Sequence, residues 1–457
     1  MAQFILSRPR FGRTRVAVNP HLLGRVDPIA NTDTAKWFVR YTFYAFVFLL
    51  SFEELDLGIE ATLPRLFGIA LAAFALLQHR LCYKFPPKAF WWFAVYLGIY
   101  TLWGLYLILT PPNIPTFPRS FVGSVFKLVQ LFVLFWIAYN LLQQERVAKG
   151  TLWAIAGATL ILAVLQIVGI TSDVSKAGRV TAFDGNPNGL ATILSLGLLA
   201  LFGLGYGRLK NEWKGRLLFW FGSGIVALAL VQTGSRGAVL ALAGTLSIFF
   251  LKGKNLATKL KFGVIALVGI VVLVVASYQV DAVRKRWEHT FYEQSLAGRQ
   301  RIFPEAVGMI LESPIVGWGP IVHLWELGPR LGVPMRDEHN VYLWVLAETG
   351  IVGAIPFFVG LWLCGRCAWR SRHSVQGFLP FVMLLFVLLL SMKGTIHHRK
   401  YYWVVLSYAL ASSSYLVRTQ RARTPVSRQP DSSVAQRRYK LVKVPTKRLP
   451  PRVSRLS

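Results

Sequence analysis

Residues 336–358 read RDEHNVYLWVLAETGIVGAIPFF, in which a short polar cluster is followed at once by an apolar run. The run extends to residue 363 and is long enough for an α-helix that crosses a membrane. His339 lies at the start of this helix, and Glu348 lies about two turns inside it. Ionisable side chains are costly in hydrocarbon, so the stretch predicts both a membrane helix and a candidate functional site.

Apolar runs of similar length recur along the chain, which has 457 residues, of which 54% are hydrophobic and only 16% are charged. This pattern predicts an all-α polytopic membrane protein with about twelve transmembrane helices. The predicted helices cover residues 37–52, 61–78, 90–109, 120–142, 151–170, 188–206, 217–233, 237–251, 262–277, 341–363, 375–392 and 401–417.

The net charge of +31 is distributed as membrane topology requires, which argues against a nucleic-acid partner. Of the 51 Lys and Arg residues, 12 lie in the last forty residues. The five loops predicted on the inner side carry sixteen Lys or Arg and two acids, whereas the first outer loop, EELDLGIE, carries four acids and no base. The positive-inside rule therefore predicts that both termini are cytoplasmic.

The chain divides into five predicted parts. Residues 1–36 form a basic cytoplasmic segment without a signal peptide, and 37–277 contain the first nine transmembrane helices. Residues 278–340 form a large outer loop, in which GRQRIFPEAVGMILESP predicts a helix along the membrane surface. Residues 341–417 contain the last three helices, and 418–457 form a basic tail that is disordered or lies on anionic lipid.

The predicted topology places five ionisable side chains at the outer side of the membrane. They are His339, Arg236, Arg299, Arg301 and Arg179. Charged groups near hydrocarbon are expensive, and so a group of them on one side predicts a site there.

Arg236 follows Ser235 in the segment QTGSRGA, at the predicted start of a helix. Ser235 suits the N-cap position, and a guanidinium in the first turn opposes the helix dipole unless an anion is present. Arg236 is therefore a candidate ligand for a phosphate group. The alternative is an arginine that extends to lipid headgroups.

His339 follows Asp337 and Glu338, whose carboxylates can hold an imidazole in one tautomer and raise its basicity. This arrangement suits a general base. The alternative is a histidine at the membrane interface with no role in chemistry. Glu348 and Lys127 lie at similar depths in two helices, which predicts a structural ion pair between them.

The basic segment from Lys393 to Lys400 lies in the last outer loop and meets either an acidic substrate or lipid phosphate. The sequence contains no metal-binding or nucleotide-binding motif, so neither a metal nor a cofactor is expected. CGRC at 364–367 has the spacing of redox and zinc sites, but it lacks a partner pair and is interpreted as coincidence.

Four motifs occur in order: RVTAFDGNPNGLA, TGSRGA, AGRQRIFPEAVGMILESPIVGWG and EHNVYLWVLAETGIVG. Together they resemble the O-antigen ligase and polymerase superfamily of bacterial envelope glycosyltransferases. The resemblance implies a GT-C-like fold with a large periplasmic loop between helices 9 and 10. It also matches the family's histidine to His339 and its arginines to Arg236 and Arg299. Phe303 stands where an aromatic residue, often Trp, is expected, which is a mild departure from the family pattern.

A further family motif matches Arg179, Asn186 and Asn188. The resemblance implies that Arg236 and Arg299 stabilise a diphosphate leaving group, with Arg301 and Arg179 as reserve ligands. The resemblance implies that a glycan on undecaprenyl diphosphate is transferred, with inversion and without a metal ion, to the lipid A–core oligosaccharide. The reaction would take place at the periplasmic face of the inner membrane of a Gram-negative bacterium, in contact with membrane lipids. The alternatives are an O-antigen or exopolysaccharide polymerase, a protein O-oligosaccharyltransferase, and a transporter of lipid-linked glycan.

Overall fold

The computed structural model describes most of the chain between residues 35 and 415. The predicted terminal segments, the ninth apolar segment and the first part of the large loop fall almost entirely outside the described residues, so those predictions stay predictions. The described residues are 35–55, 62–110, 112, 114, 116–174, 179–183, 185–208, 213–248, 298–374 and 376–415, with single positions between 257 and 288.

The described part of the chain is mostly helical and contains fourteen α-helices and one short β-hairpin. The helices are α1 (Trp37–Leu49), α2 (Leu63–Leu77), α3 (His79–Cys82), α4 (Lys88–Leu109), α5 (Phe117–Leu142), α6 (Glu145–Val168), α7 (Pro187–Arg208), α8 (Trp213–Gln232), α9 (Arg236–Leu246), α10 (Arg299–Glu312), α11 (Val322–Arg330), α12 (Val341–Arg370), α13 (Leu379–Ser391) and α14 (Lys400–Ala411). Three-residue 3-10 turns lie at Leu50–Phe52, Ser371–His373 and Ile396–His398.

Among the described residues, the helices coincide with eleven of the twelve apolar segments predicted from the sequence. Five of them, α4, α5, α6, α7 and α12, are long and apolar enough to cross a membrane. Others, including α1, α2, α9 and α13, are apolar but shorter. The membrane-protein class is therefore supported, and the number of spans stays a prediction.

The outward faces of the long helices are apolar. Trp91, Leu102 and Leu109 on α4 are 52%, 69% and 81% exposed, and Trp362 on α12 is 58% exposed. Clustered large apolar side chains on an outer surface are unfavourable in water and suit lipid. This surface agrees with a chain that lies in a membrane.

Local sequence signals set several helix boundaries. Pro64, Pro118 and Pro380 lie in the first turn of α2, α5 and α13, where a missing backbone N–H costs nothing. Gly169 ends α6 in a left-handed conformation with φ of 87°. The side chain of Asn340 accepts hydrogen bonds from the first N–H groups of α12, which fixes the start of that helix.

The core between the helices is built on α12, which packs against α4, α13 and α14. Phe93 on α4 contacts Phe135, Phe357 and Trp403, with ring centroids 5.3–5.8 Å apart. A Cβ on Gly360 would lie 2.7 Å from the Phe93 ring, so only glycine lets these helices approach this closely. Tight packing of this kind holds α12 in a fixed position.

Helix α12 is broken at Gly350, whose φ of 57° and ψ of −162° are not helical. The segment 314–319 lies against the break and satisfies the backbone groups that it releases. The hydrogen bonds run from Trp318 N to Ala347 O (2.8 Å), Gly319 N to Glu348 O (3.0 Å), Ile351 N to Pro314 O (2.9 Å) and Val352 N to Ile315 O (3.1 Å). The end of the large loop is thereby fixed to α12, and α11 follows directly.

A short hairpin precedes α7. Its strands, β1 (Ser172–Val174) and β2 (Val180–Ala182), pair in antiparallel register. The all-α prediction omitted it because strands of three residues are too short to show an alternating pattern. Arg179 lies immediately before β2, so the hairpin positions one of the predicted site residues.

Candidate functional site

A cavity of about 650 Å³ lies where α7, α9 and α10 meet the segment before α12 and the loop between α13 and α14. It gathers five of the residues predicted from the sequence, which come from distant parts of the chain. These residues are Asn186, Asn188, Arg236, Arg299 and His339. The volume falls within the range of pockets that bind small molecules.

His339 lies on the cavity wall with Asp337 beside it. Its Nδ1 is 2.6 Å from Asp337 Oδ1, and the side chains of His339 and Asp337 are 35% and 28% exposed. Asp337 Oδ2 accepts a hydrogen bond of 3.1 Å from the Thr395 hydroxyl, so the carboxylate is itself fixed. With Nδ1 occupied, Nε2 is the ring nitrogen that can take a proton from a hydroxyl group.

The charge state of Asp337 suits this arrangement. Burial alone would raise the pKa of its carboxyl, but the hydrogen bond with His339 and the charges nearby hold the pKa below its ordinary value. Asp337 is therefore ionised at neutral pH and can orient the His339 ring. The pairing predicted from sequence is found for Asp337, whereas Glu338 turns to another partner.

Arg236 is the first residue of α9, as the sequence predicted, and Ser235 occupies the N-cap position. The Ser235 hydroxyl makes no capping hydrogen bond. It donates instead to Asn188 Oδ1 (3.0 Å) and accepts from Lys393 Nζ (3.0 Å). The start of α9 thus lies at the cavity. Its positive dipole end and the Arg236 side chain both favour the binding of an anion there.

Gly237, in the first turn of α9, makes room for Lys393. A Cβ at this position would collide with the Lys393 side chain, which lies across the helix start. Lys393 lines the same cavity as Arg236, so a second cation reaches the start of α9. The sequence left open whether the loop of Lys393 meets a substrate or lipid, and here its first residue lies on the cavity wall.

Arg299 opens α10, directly after Gly298, whose φ is 83°. Its Nη2 donates to the backbone oxygen of Lys393 at 2.9 Å, which joins α10 to the loop between α13 and α14. Phe303, one turn later, also lines the cavity. Arg301 is exposed and is not among the cavity-lining residues.

Arg179 is buried behind the cavity wall, with 8% of its surface exposed. Its Nε donates to the Thr233 backbone oxygen (2.9 Å), and its Nη2 donates to Asn188 Oδ1 (3.1 Å). Arg179 therefore holds Asn188 and the turn before α9 in place. The sequence could not separate this supporting position from a position on the cavity surface.

Glu348 has other partners than the predicted Lys127. Its Oε2 accepts a hydrogen bond of 3.2 Å from Tyr96, and its Oε1 is 3.5 Å from His323 Nε2. The charges that act on Lys127 belong to residues near the end of α1 and the starts of α2 and α14, chiefly Arg399 and Glu53. Lys127 on α5 and Glu348 on α12 do not pair although they lie at similar depths, because the two helices pack mainly on different neighbours. Helix α5 packs mainly on α14, whereas α12 packs mainly on α4.

Arg399 also lines the cavity and donates to Glu54 at 3.0 Å, while Lys400 pairs with Glu53. These ion pairs tie the loop before α14 to the loop after α1. The sequence showed acidic residues in the first outer loop and basic residues in the last one, but it could not show that they meet.

The part of the chain that the structure describes contains no group of three or more side chains that could hold a metal ion. The cationic groups on the cavity wall are arginine and lysine side chains. Guanidinium groups carry a permanent charge and forked donors that match phosphate oxygens. The wall can therefore bind a phosphate-containing ligand beside a histidine–aspartate pair.

Comparison with known proteins agrees with the resemblance seen in the sequence. Residues 221–358, less than a third of the chain, match the family model described as O-antigen ligase. No curated protein matches the chain. The matched part contains Arg236, Arg299 and His339, so the resemblance is confirmed for these segments and supports an enzyme in a membrane.

Proposed function

We propose that this protein is an O-antigen ligase that transfers a glycan from undecaprenyl diphosphate to the lipid A–core oligosaccharide. The observation that carries the proposal is that the His339–Asp337 pair shares one cavity with Arg236, Arg299 and Lys393. A base and a set of cations are the two groups that glycosyl transfer from a diphosphate requires.

In the proposed reaction the acceptor hydroxyl attacks the anomeric carbon of the donor sugar. Its oxygen forms the new glycosidic bond while its proton passes to His339 Nε2. The bond between the anomeric carbon and the phosphate oxygen breaks, and the diphosphate leaves with the electron pair. Attack opposite the leaving group inverts the anomeric centre. Asp337 holds the ring through Nδ1 and stabilises the imidazolium that forms.

The leaving diphosphate gains negative charge as the bond breaks. Arg236, Arg299 and Lys393 would neutralise this charge, and the start of α9 would add backbone N–H groups. Asn186 and Asn188 line the same wall and can donate hydrogen bonds to phosphate or sugar oxygens. Since these cations already line the cavity, we expect transfer to proceed without a metal ion.

The proposed location is the periplasmic face of the inner membrane, with both termini in the cytoplasm. The distribution of Lys and Arg among the loops supports this orientation. A donor and an acceptor that are both held by lipid would then meet at the outer rim of the helices. The part of the large loop that follows residue 298 would cover the site from the periplasm.

Reconstitution of the full chain tests this proposal. Purified protein in liposomes would be given undecaprenyl-diphosphate-linked glycan together with lipid A–core, with a second donor molecule, or with an acceptor protein. We expect a conjugate on lipid A–core alone, and we expect the rate to persist in excess chelator. Elongated donor would indicate a polymerase, a glycosylated protein would indicate an oligosaccharyltransferase, and movement of donor without bond formation would indicate a transporter.

His339→Ala and His373→Ala form the matched pair of variants for this assay. His373 is exposed in the 3-10 turn after α12 and does not line the cavity. Transfer should be lost in the first variant and retained in the second. Equal transfer by both variants would contradict the proposed role of His339.

A further inference from the structure

A fully buried polar cluster lies beside the cavity, and the mechanism above does not use it. His323 Nδ1 is 2.7 Å from Glu338 Oε1, and His323 Nε2 is 3.5 Å from Glu348 Oε1. The side chains of His323 and Glu338 have no exposed surface, and Glu348 is 1% exposed. Tyr96 donates to the second oxygen of Glu348 at 3.2 Å.

The cluster joins four separate elements. His323 belongs to the first turn of α11, Glu338 to the segment before α12, Glu348 to α12 itself and Tyr96 to α4. Groups buried so deeply would be expensive to leave without partners. The contacts therefore fasten the end of the large loop to the helical core at one point.

His323 carries the positive charge of this cluster. Burial by itself would lower the pKa of the imidazole, but the carboxylates of Glu338 and Glu348 outweigh that effect and raise the pKa of His323 to about 10. The ring is therefore an imidazolium at neutral pH. It donates from Nδ1 to Glu338, and the pair is held by both charge and hydrogen bonding.

Glu338 is the residue directly before His339. The backbone of His339 has a φ of 50°, in the left-handed region that residues with a side chain seldom adopt. Such a conformation persists only where the surroundings hold it. The buried Glu338 carboxylate holds one side of the segment, and the capping side chain of Asn340 holds the other.

We infer that His323 is a positioning residue, which through Glu338 fixes the backbone of His339 so that its imidazole faces the cavity. The inference rests on the proposed function for what His339 does there. His323 itself lies behind the wall and touches no substrate. A loss of positioning lowers the rate of the chemical step more than it lowers donor binding, because the cations lie on other elements.

The principal variant is His323→Gln, which keeps much of the side-chain size and a neutral donor but removes the charge. We expect kcat to fall by about tenfold to a hundredfold, with the KM of the donor within about twofold of wild type. Glu338→Gln should give the same pattern and serves as the second variant if His323→Gln does not fold. The double variant removes both charges, and its kcat should rise by about threefold or more above the single variant.

Arg330→Gln is the matched control, since Arg330 lies on the same helix α11. Its guanidinium pairs with Glu312 (2.6 Å) and Glu326 (2.6 Å) on the surface of the loop. This variant removes ion pairs from α11 without touching the segment before α12. It should leave both kcat and the donor KM unchanged.

A readout that does not depend on activity is amide hydrogen exchange of residues 336–340 in the full-length protein. Exchange should be faster in His323→Gln than in wild type. In the double variant it should be slower than in His323→Gln. Unchanged exchange and unchanged kcat in a folded His323→Gln would overturn the inference, as would parallel changes in kcat and donor KM. If wild type transferred no glycan, the proposed function would fail, and the exchange rates would still decide whether His323 fastens this segment.

Discussion

Two histidine–carboxylate pairs contain neighbouring residues of one short segment but differ in their exposure to the cavity. Asp337 pairs with His339 at 2.6 Å, and both side chains are about one-third exposed to the cavity. Glu338 pairs with His323 at 2.7 Å, and neither side chain is exposed. The contact distances are nearly equal, so geometry alone does not distinguish the two pairs.

The difference lies in access. A pair that faces a cavity can exchange a proton with a ligand, whereas a sealed pair keeps its proton and acts as a fixed charge. We call Asp337–His339 the open pair and Glu338–His323 the sealed pair. We therefore assign the proton transfer to the open pair and the positioning of His339 to the sealed pair. Variants of either pair should lower kcat, whereas only variants of the sealed pair should also change the hydrogen exchange of residues 336–340 and the pH dependence of stability.

The largest effect is expected from His339→Gln, which removes the proposed base from the open pair. The rate of glycan transfer should fall by about 10²–10⁴-fold, as is usual when a general base is lost. Transfer would be measured with purified protein and donor in excess, and membrane abundance would confirm insertion. A rate close to that of wild type would show that His339 is not the base.

The next effect concerns the cations that line the same cavity as the base. Arg236→Lys and Arg299→Lys should each lower kcat/KM by about tenfold to a hundredfold, because one ammonium cannot reproduce the forked donors of a guanidinium. Steady-state kinetics with varied donor concentration measures this loss. Wild-type values in both lysine variants would show that charge alone is sufficient.

A smaller effect is expected from Asp337→Asn, the nearest counterpart of Glu338→Gln. The amide keeps the shape of the carboxylate but lacks the charge that stabilises the His339 imidazolium, so kcat should fall by at least about tenfold, and by less than in His339→Gln because the ring itself remains. The thermal midpoint should change little, because Asp337 is partly exposed. A large loss of stability with unchanged kcat would reverse the roles assigned to the two pairs.

Lys393→Met tests the cation that the sequence placed only within a basic loop, without assigning it to substrate or lipid. We expect a rise in the donor KM of about threefold to tenfold, since Arg236 and Arg299 remain in the same cavity. Lys400→Met is the matched control, because Lys400 pairs with Glu53 and does not line the cavity. Equal effects of the two variants would point to general surface charge.

The pH dependence of stability separates the sealed pair from the open one. Because the pKa of His323 is raised from 6.5 to about 10, the protonated ring stabilises the folded state. This contribution is complete below pH 6.5 and is lost as the pH rises towards 10. The thermal midpoint of wild type should therefore fall more steeply over this range than that of the His323→Gln, Glu338→Gln double variant, and parallel slopes would contradict the charged pair.

The sequence was sufficient to predict most helices and the members of the cavity that belong to recognisable motifs. Long apolar runs identify membrane helices because a helix that crosses the hydrocarbon must be apolar over about twenty residues. Arg236 and His339 can be recognised as candidate site residues because ionisable side chains are rare next to such runs. Both side chains line one cavity, and the side of the membrane on which this cavity lies stays a prediction.

Other features depend on which face each helix turns towards its neighbours. Counting residues gives the depth of Lys127 and Glu348 but not the direction of either side chain, so the predicted pair was replaced by the contact of Glu348 with His323. For the same reason, the sequence could not predict that Arg179 supports the cavity wall from behind or that Lys393 contacts Ser235. These contacts form between segments far apart in the chain, where no local pattern records them.

The central claim is that one cavity holds a base for the acceptor and cations for the diphosphate. The most direct test measures donor binding and transfer rate in the same reconstituted preparations of wild type, His339→Gln and Arg236→Lys. We predict that His339→Gln binds the donor as wild type does but fails to transfer the glycan, whereas Arg236→Lys binds the donor more weakly. Donor binding lost equally in both variants, or transfer retained without His339, would contradict the claim.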